Sequence, residues 1–375
     1  MVLKKQNLSQ RGGEKFDWWL LMSSLALVAV GLVAIYDASI VTAFRDFGNR
    51  FYFLENQLAW AAFGTFALVF FVFFDYHKLI KYSLFFLGGA TVLLIAVLTP
   101  HVGTEILGAK RWMTIANFTF QPSELTKLAI IFYATSIMTK FDNYKIRIID
   151  AGLVYFLPIL LATLLVVLEP DLGTALVFMA IALVVYFAGN APIWHFLISL
   201  PVFALGAIAA IFTKPYRIER LRAFTDPNYD PQGASYQINQ IIIALSSGGL
   251  FGVGLGGSKS KFEFIPEVHN DAIFAVIVEE IGFIGAVILI GVFLFLISRA
   301  IKIAYGAPDF SGRVLAMGIT GFLAVQIFLN LSSIVALIPL TGVPLPFISY
   351  GGSSLFVTLV SVGILLNVKR QSWKK

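Results

Sequence analysis

Long apolar blocks alternate with short polar connections along this chain. Ten blocks stand out, at residues 18–36, 57–74, 82–98, 124–138, 151–168, 174–187, 193–212, 271–298, 314–337 and 351–367. Each approaches the ~20 residues that carry a helix across a bilayer. The first block is too long for the core of a signal peptide and more blocks follow it, so an uncleaved anchor is expected. One connection, 213–270, is long. It opens on polar Tyr216-Arg-Ile-Glu-Arg-Leu-Arg222, continues through turn-rich Asp226-Pro-Asn-Tyr-Asp-Pro-Gln-Gly233, and reaches an apolar stretch, 236–245, too short to cross. That stretch suits an interfacial or re-entrant helix. The expected fold is all-α and integral to the membrane, a bundle of about ten spanning helices with one long outer loop.

Composition narrows the class. Hydrophobic residues make up 58% and charged residues 13%, against about 25% charged in soluble proteins. A water-soluble domain and a disordered chain are both excluded. There is no cysteine and there are four histidines, so disulfides, thiolate metal sites and a cysteine nucleophile are ruled out, and no two histidines have metal-pair spacing. No metal site or cofactor is expected, although a need for a divalent cation stays open. The net charge of +6 does not point to nucleic acid, because its distribution reads as topology. With the N-terminus inside, sixteen Lys and Arg fall in inside segments and four (Arg45, Arg50, Lys110, Arg111) in short outside loops. The excess of inside basic charge predicts both termini in the cytoplasm. The chain then divides into a tail 1–17, a membrane body 18–368 and a tail 369–375.

Several residues sit where chemistry is expected, each with a plainer alternative. Asp271 opens the eighth block after Pro266-Glu-Val-His-Asn270. Asn270 or Asp271 suits a helix cap, while a carboxylate at the membrane boundary, its pKa raised by an apolar neighbourhood, suits a general base. His269 and Glu267 flank it as supporting groups. Glu124 and Lys127, three apart after Gln121-Pro-Ser123, share one helix face. A lysine there needs a partner, and Glu124 is the nearest. Lys110 and Arg111, beside Trp112, read as interfacial anchors or as ligands for a phosphate-bearing headgroup. Six glycines lie within 248–257, followed by Lys259 and Lys261. They read as a bend beside a re-entrant helix or as a backbone approach to phosphate. Glu169-Pro-Asp-Leu-Gly173 reads as a capped hairpin or as a broken helix lining a cavity. Glu279 and Glu280 are intramembrane carboxylates of unassigned partner. Pro344-Leu-Pro-Phe-Ile-Ser-Tyr-Gly-Gly-Ser-Ser354 denies regular helix and reads as a rigid turn or a loop dipping toward a cavity.

These segments, in order, resemble the SEDS family (shape, elongation, division and sporulation), typified by FtsW and RodA. The resemblance rests on Gln121-Pro-Ser-Glu-Leu-Thr-Lys127, Glu169-Pro-Asp-Leu-Gly173, Asp230-Pro-Gln-Gly233, Ser247-Gly-Gly-Leu-Phe-Gly252, Ile265-Pro-Glu-Val-His-Asn-Asp271 and the 344–354 segment. It implies a peptidoglycan glycosyltransferase that polymerises lipid II at the outer face of the bacterial cytoplasmic membrane. The 4-hydroxyl of one disaccharide attacks the anomeric carbon of another with inversion, and undecaprenyl pyrophosphate leaves. Asp271 matches the family's essential aspartate, and Glu124 with Lys127 its glutamate–lysine pair. Lys110, Arg111 and Lys259 become candidate pyrophosphate contacts, and His269, Ser349 and Ser353 candidate substrate-binding or supporting groups. The resemblance also implies a single-span class B penicillin-binding transpeptidase as partner, within a division or elongation assembly. Asn270, Ala272 and Glu169 depart from the usual threonine, phenylalanine and glutamine. The run Gly254-Leu-Gly-Gly-Ser-Lys-Ser260 leans toward the FtsW-like branch. A lipid II flippase and a non-catalytic division scaffold are the competing classes. A transporter would spread its charges through the midplane, whereas here the clearest ones cluster at outer helix ends, with Glu279 and Glu280 the exception.

Overall fold

A computed structural model describes residues 16–99, 102–106, 109–115, 118–141, 146–226, 228–261, 265–266 and 268–373. Most of the N-terminal tail, the last two residues and Glu267 lie outside the described residues.

The helices run in chain order as α1 (Trp18–Phe47), α2 (Tyr52–Phe73), α3 (Tyr76–Lys81), α4 (Ser83–Leu98) and α5 (Pro122–Phe141). Next, α6 (Ile148–Asp150), a π-helical stretch (Ala151–Phe156) and α7 (Leu157–Leu168) form one apolar span of 21 residues. There follow α8 (Leu172–Ala188), α9 (Ile193–Phe212), α10 (Pro215–Thr225), α11 (Tyr236–Ser247), α12 (Ile273–Tyr305), α13 (Phe310–Ile334) and α14 (Gly352–Ser372). Seven of these are long and apolar enough to cross a membrane. The shorter apolar α4 and α8 and the 20-residue α5 coincide with the three remaining expected blocks. Helices α10 and α11 occupy the long connection, and α11 covers the short apolar stretch read there.

Burial separates α14 from α12. The best-spanning window of α14 has a mean hydropathy of 1.6 and is 89% buried, whereas that of α12 has 2.8 and is 28% buried. Helices that face lipid must be apolar, but a helix enclosed by other helices can carry small and polar residues. By the same logic α5 is buried from Pro122 to Thr135 apart from Leu125, yet carries Glu124, Thr126, Lys127 and Thr135 inside. It sits with α8, α13 and α14 at the centre. α9 is the opposite case, with His195 its one buried residue.

Three polar links gather one end of the bundle. Arg299 near the end of α12 pairs with Asp17 before α1 (2.7 Å). Tyr76 of α3 donates to Asp309 before α13 (2.8 Å). Gln371 of α14 donates to Asp75 (3.0 Å). The start of α1 and the end of α14 therefore lie on the same side.

The all-α membrane bundle carries one small addition. The stretch before α5 forms a small antiparallel sheet, β1 (Gly103–Ile106), β2 (Ala109–Ile115) and β3 (Phe118–Phe120), ordered β1-β2-β3. Its strands are three to seven residues long, which is too short for a periodic signal to separate from loop.

Candidate functional site

The site is built where the 335–351 loop folds back between α5, α8, α12 and α13. Two amides one turn apart on α13 hold it. Asn330 Nδ2 donates to the main-chain carbonyls of Asp271 and Val343, both at 2.8 Å. Gln326 Nε2 donates to Pro344 O at 2.9 Å, and its Oε1 accepts from Lys127 Nζ at 2.8 Å. Lys127 also donates to Glu124 Oε1 at 2.7 Å and lies over the Phe322 ring, 5.4 Å from its centroid. Neither member of the pair is more than 1% exposed. The expected Glu124–Lys127 pair thus exists, with Gln326 as a third member. Glu124 Oε2 has no hydrogen-bond partner among the described residues.

Asp271 is not the helix cap. Ala272 holds that position in α12, and no side chain caps the helix there. Asp271 is partly exposed, and its carboxylate faces Gly342, with Oδ2 3.9 Å from where a side chain at that position would begin. Burial raises its pKa above the usual carboxylate range, and the charge of nearby Arg220 partly opposes this. Arg220 projects from α10, is exposed, and donates to Leu340 O at 3.4 Å. A carboxylate with raised basicity beside a solvent-reaching cation suits proton abstraction next to a developing anion.

His269 supports this geometry from a dry pocket. Its ring lies against Phe53 (4.3 Å between centroids) and Tyr350 (5.4 Å), and its carbonyl accepts from Tyr350 N at 3.0 Å. Burial pushes its pKa down to about 4, so it is neutral at physiological pH. Ser349 and Ser353 are tied up internally. Ser349 Oγ accepts from Leu345 N at 2.8 Å, and Ser353 Oγ from Gln121 N at 3.3 Å. In accepting these bonds they brace the loop.

The phosphate-binding expectation needs correction at Arg111. Lys110 and Arg111 are neighbours on β2, where the pairing with β1 shifts register between Thr104 and Glu105, and Arg111 is engaged elsewhere. Arg111 Nε donates to Glu169 O at 2.9 Å, and its Nη2 donates to Pro170 O. Its other nitrogen, Nη1, stands 4.0 Å from Asp171. It straps the α7–α8 turn. That turn is the capped hairpin, because Asp171 accepts from Thr174 N at 3.0 Å at the start of α8. Lys259 is exposed, but its amide donates to Glu279 at 3.1 Å. Glu279 is eight residues beyond Asp271, about 12 Å along a helix, and among the described residues no hydrogen bond or ion pair joins Lys259 to Asp271.

Sequence reading missed Arg220, Gln326, Asn330 and Gln57. Gln57 of α2 spans the start of α14, accepting from Gly351 N at 3.2 Å and donating to Ser349 O at 3.4 Å. Gln326 and Asn330 had a signal, since two amides at i, i+4 inside an apolar block call for polar partners in a membrane. Arg220 had none beyond its place in a basic run. Among the described residues no group of three or more His, Asp and Glu is placed to hold a metal ion.

Comparison with known proteins gives concordant results. A profile of the FtsW, RodA and SpoVE family, described as cell cycle protein, matches residues 18–374. The chain is 40% identical to a protein named probable peptidoglycan glycosyltransferase FtsW from Geobacter sp. (strain M18), over 95% of this chain and 97% of that one. It is 38% identical to stage V sporulation protein E of Bacillus subtilis (strain 168), with the same coverage. One solved chain is described under structural coordination of polymerization and crosslinking by a peptidoglycan synthase complex. It superposes with a TM-score of 0.79 at 31% identity, covering 96% of this chain and 99% of its own. The crystal structure of the rod shape determining protein RodA of Thermus thermophilus superposes at 0.70 with 30% identity, covering 96% and 98%.

Proposed function

The chain belongs to the FtsW, RodA and SpoVE family of cell cycle proteins, and on that premise we propose that it is a peptidoglycan glycosyltransferase with Asp271 as its general base. It polymerises lipid II into β-1,4-linked glycan. The Asp271 carboxylate takes the proton from the 4-hydroxyl of one disaccharide as that oxygen bonds to the anomeric carbon of the other. The bond from that carbon to the diphosphate breaks with inversion, and the electron pair leaves on undecaprenyl pyrophosphate. Arg220, whose charge reaches Asp271, is the cation assigned to the leaving charge, and Arg111, Lys110 and Lys259 are assigned no part in this step.

The observation that carries the reading is Asp271 itself. Its main chain is fixed by Asn330, its carboxylate is free of capping duty, and it is partly open. Lys127 and Glu124 act beneath it by holding Gln326 and, through it, Pro344.

The names of the similar proteins favour a role in division. In this reading the chain works in the bacterial cytoplasmic membrane, with both termini in the cytoplasm and Asp271 at the outer face. Residues 18–368 form the catalytic membrane body between short cytoplasmic tails. A single-span class B transpeptidase cross-links the product, as the complex in the similar solved structure suggests.

The test is lipid II polymerisation by purified chain with its cognate transpeptidase, wild type against Asp271→Asn. That change keeps size and removes the base. Loss of ~100-fold or more in rate is expected. Equal rates in a folded, partner-bound variant would move the base elsewhere.

A further inference from the structure

Glu279 and Glu280 take no part in the reaction above, yet both are buried in a spanning helix, where a carboxylate is costly unless satisfied. Their surroundings explain them. α12 breaks at Gly282, where φ is 70°. The break frees two carbonyls before it and two amides after it, and the glycine-rich loop after α11 takes all four. Val253 N donates to Glu279 O (3.0 Å) and Gly254 N to Glu280 O (3.1 Å). Phe283 N and Ile284 N donate to Gly249 O (2.9 Å) and Leu250 O (3.2 Å).

The same loop then turns its amides onto the two carboxylates. Gly256 N and Ser258 N donate to Glu280 Oε1 at 3.0 and 3.3 Å. Ser258 Oγ, Lys259 N and Ser260 N donate to Glu279 at 2.6, 3.1 and 3.4 Å. Lys261 closes the arrangement. Its Nζ donates to both carboxylate oxygens of Asp37 on α1 (3.0 and 3.2 Å), to Gly256 O (2.6 Å) and to Glu280 Oε1 (3.4 Å).

Residues 273–281 therefore form a short helical lever. Asp271 stands at one end, and the loop, Lys261 and α1 grip the other. A helix turn is stiff, so a grip about 13 Å away still sets the rotation of the free end. We propose that Lys261, clamped between Asp37 and Glu280, is a positioning residue that aims Asp271 by fixing this lever against α1. The proposal rests on the reading of Asp271 as the base. Among the described residues Lys261 is the cation paired with both Asp37 and Glu280. Without it Asp37 and Glu280 face each other uncompensated and repel. The loop then parts from α1 while the rest of the bundle keeps its packing.

The experiment measures lipid II polymerisation by the full chain with its transpeptidase for wild type, Lys261→Met, Lys261→Arg, Asp37→Asn and Asp271→Asn, together with amide hydrogen exchange. Lys261→Met is expected to lower kcat by ~10- to ~100-fold with KM unchanged, since misaiming a reacting group by about 1 Å has that effect. Lys261→Arg is expected to recover most of the loss, and exchange is expected to quicken only in 252–260. Undiminished kcat in folded Lys261→Met overturns the proposal, and so does a change confined to KM. Should Lys261→Met fail to fold, Asp37→Asn decides, and wild-type kcat in that variant overturns it. An inactive Asp271→Asn with a fully active Lys261→Met would sink the positioning role alone. An active Asp271→Asn would sink the base assignment and this inference with it.

Discussion

Asn330 Nδ2 donates to the main-chain carbonyl of Asp271 at 2.8 Å, and the same nitrogen reaches Val343 O at 2.8 Å. One buried amide on α13 thereby ties the residue that opens α12 to the loop folded over it. Asn330→Ala leaves both carbonyls without this donor, and each such loss costs about 1–3 kcal/mol. The expected result is a lower thermal midpoint in detergent and a polymerisation rate down by ~10-fold or more. Wild-type rate in the alanine variant would show that Asp271 needs no tether.

Lys127 sits one turn below that tether. Its ammonium is fully buried between Glu124 and Gln326. Removing one partner of such a pair strands a charge and costs about 3–5 kcal/mol, whereas removing both together costs far less. Lys127→Met is therefore expected to unfold well below wild type. Lys127→Met with Glu124→Gln is expected to recover most of the midpoint. If the double variant is no more stable than the single one, the stranded Glu124 carboxylate is not what destabilises Lys127→Met.

Much of this was legible in the chain because lipid imposes a coarse rule. Blocks that face hydrocarbon must be apolar over their full length, so the ten spans could be read directly. Chemistry at their ends was read less well. Lys110 and Arg111 look like one basic patch in sequence, but Arg111 is engaged by the carbonyls of the α7–α8 turn, which no local pattern shows. The glycine run with its lysines looks like a phosphate cradle, and the chemistry was right but the anion was not. Its amides bind the carboxylates of Glu279 and Glu280, a pairing across about 20 residues that no local pattern encodes. Asp271 drew attention as a carboxylate at a membrane boundary and as the match to the family's essential aspartate, with a helix cap as the competing reading. The tether from Asn330 did not, because an amide inside a span reads as background until its partner is known.

Glu169 gives the fold a pH dependence of unusual sign. It is fully buried, and neither carboxylate oxygen has a hydrogen-bond partner among the described residues. Burial, with Asp171 adding, pushes its pKa up to about 8 against some relief from Arg111. An unfolded glutamate titrates near 4.5. Across that window the folded chain keeps a proton that the unfolded chain gives up, so stability falls as pH rises and levels off above it. At neutral pH the cost is on the order of 3 kcal/mol. Glu169→Gln should raise the thermal midpoint near pH 7 and flatten its decline between pH 5 and 8. Parallel midpoint curves for the two proteins would remove Glu169 from the account.

Gly282 marks where α12 must break, and two observations make it irreplaceable by any other residue. Its φ of 70° lies in the left-handed region that disfavours a Cβ. A Cβ there would also stand 2.6 Å from the Leu250 carbonyl oxygen and crowd the Gly252 amide, and both are backbone atoms that cannot swing aside. Gly282→Ala must therefore part the glycine-rich loop from α12 or straighten the helix, and either outcome releases the lever that carries Asp271. We expect polymerisation to fall by ~10-fold or more, together with new protease cleavage within 248–261. Gly291 lies further along the same helix, where an added Cβ meets nothing within 4 Å, so Gly291→Ala should behave as wild type in both assays. Cleavage and activity matching wild type in Gly282→Ala would mean that the break in α12 is not what holds the loop in place.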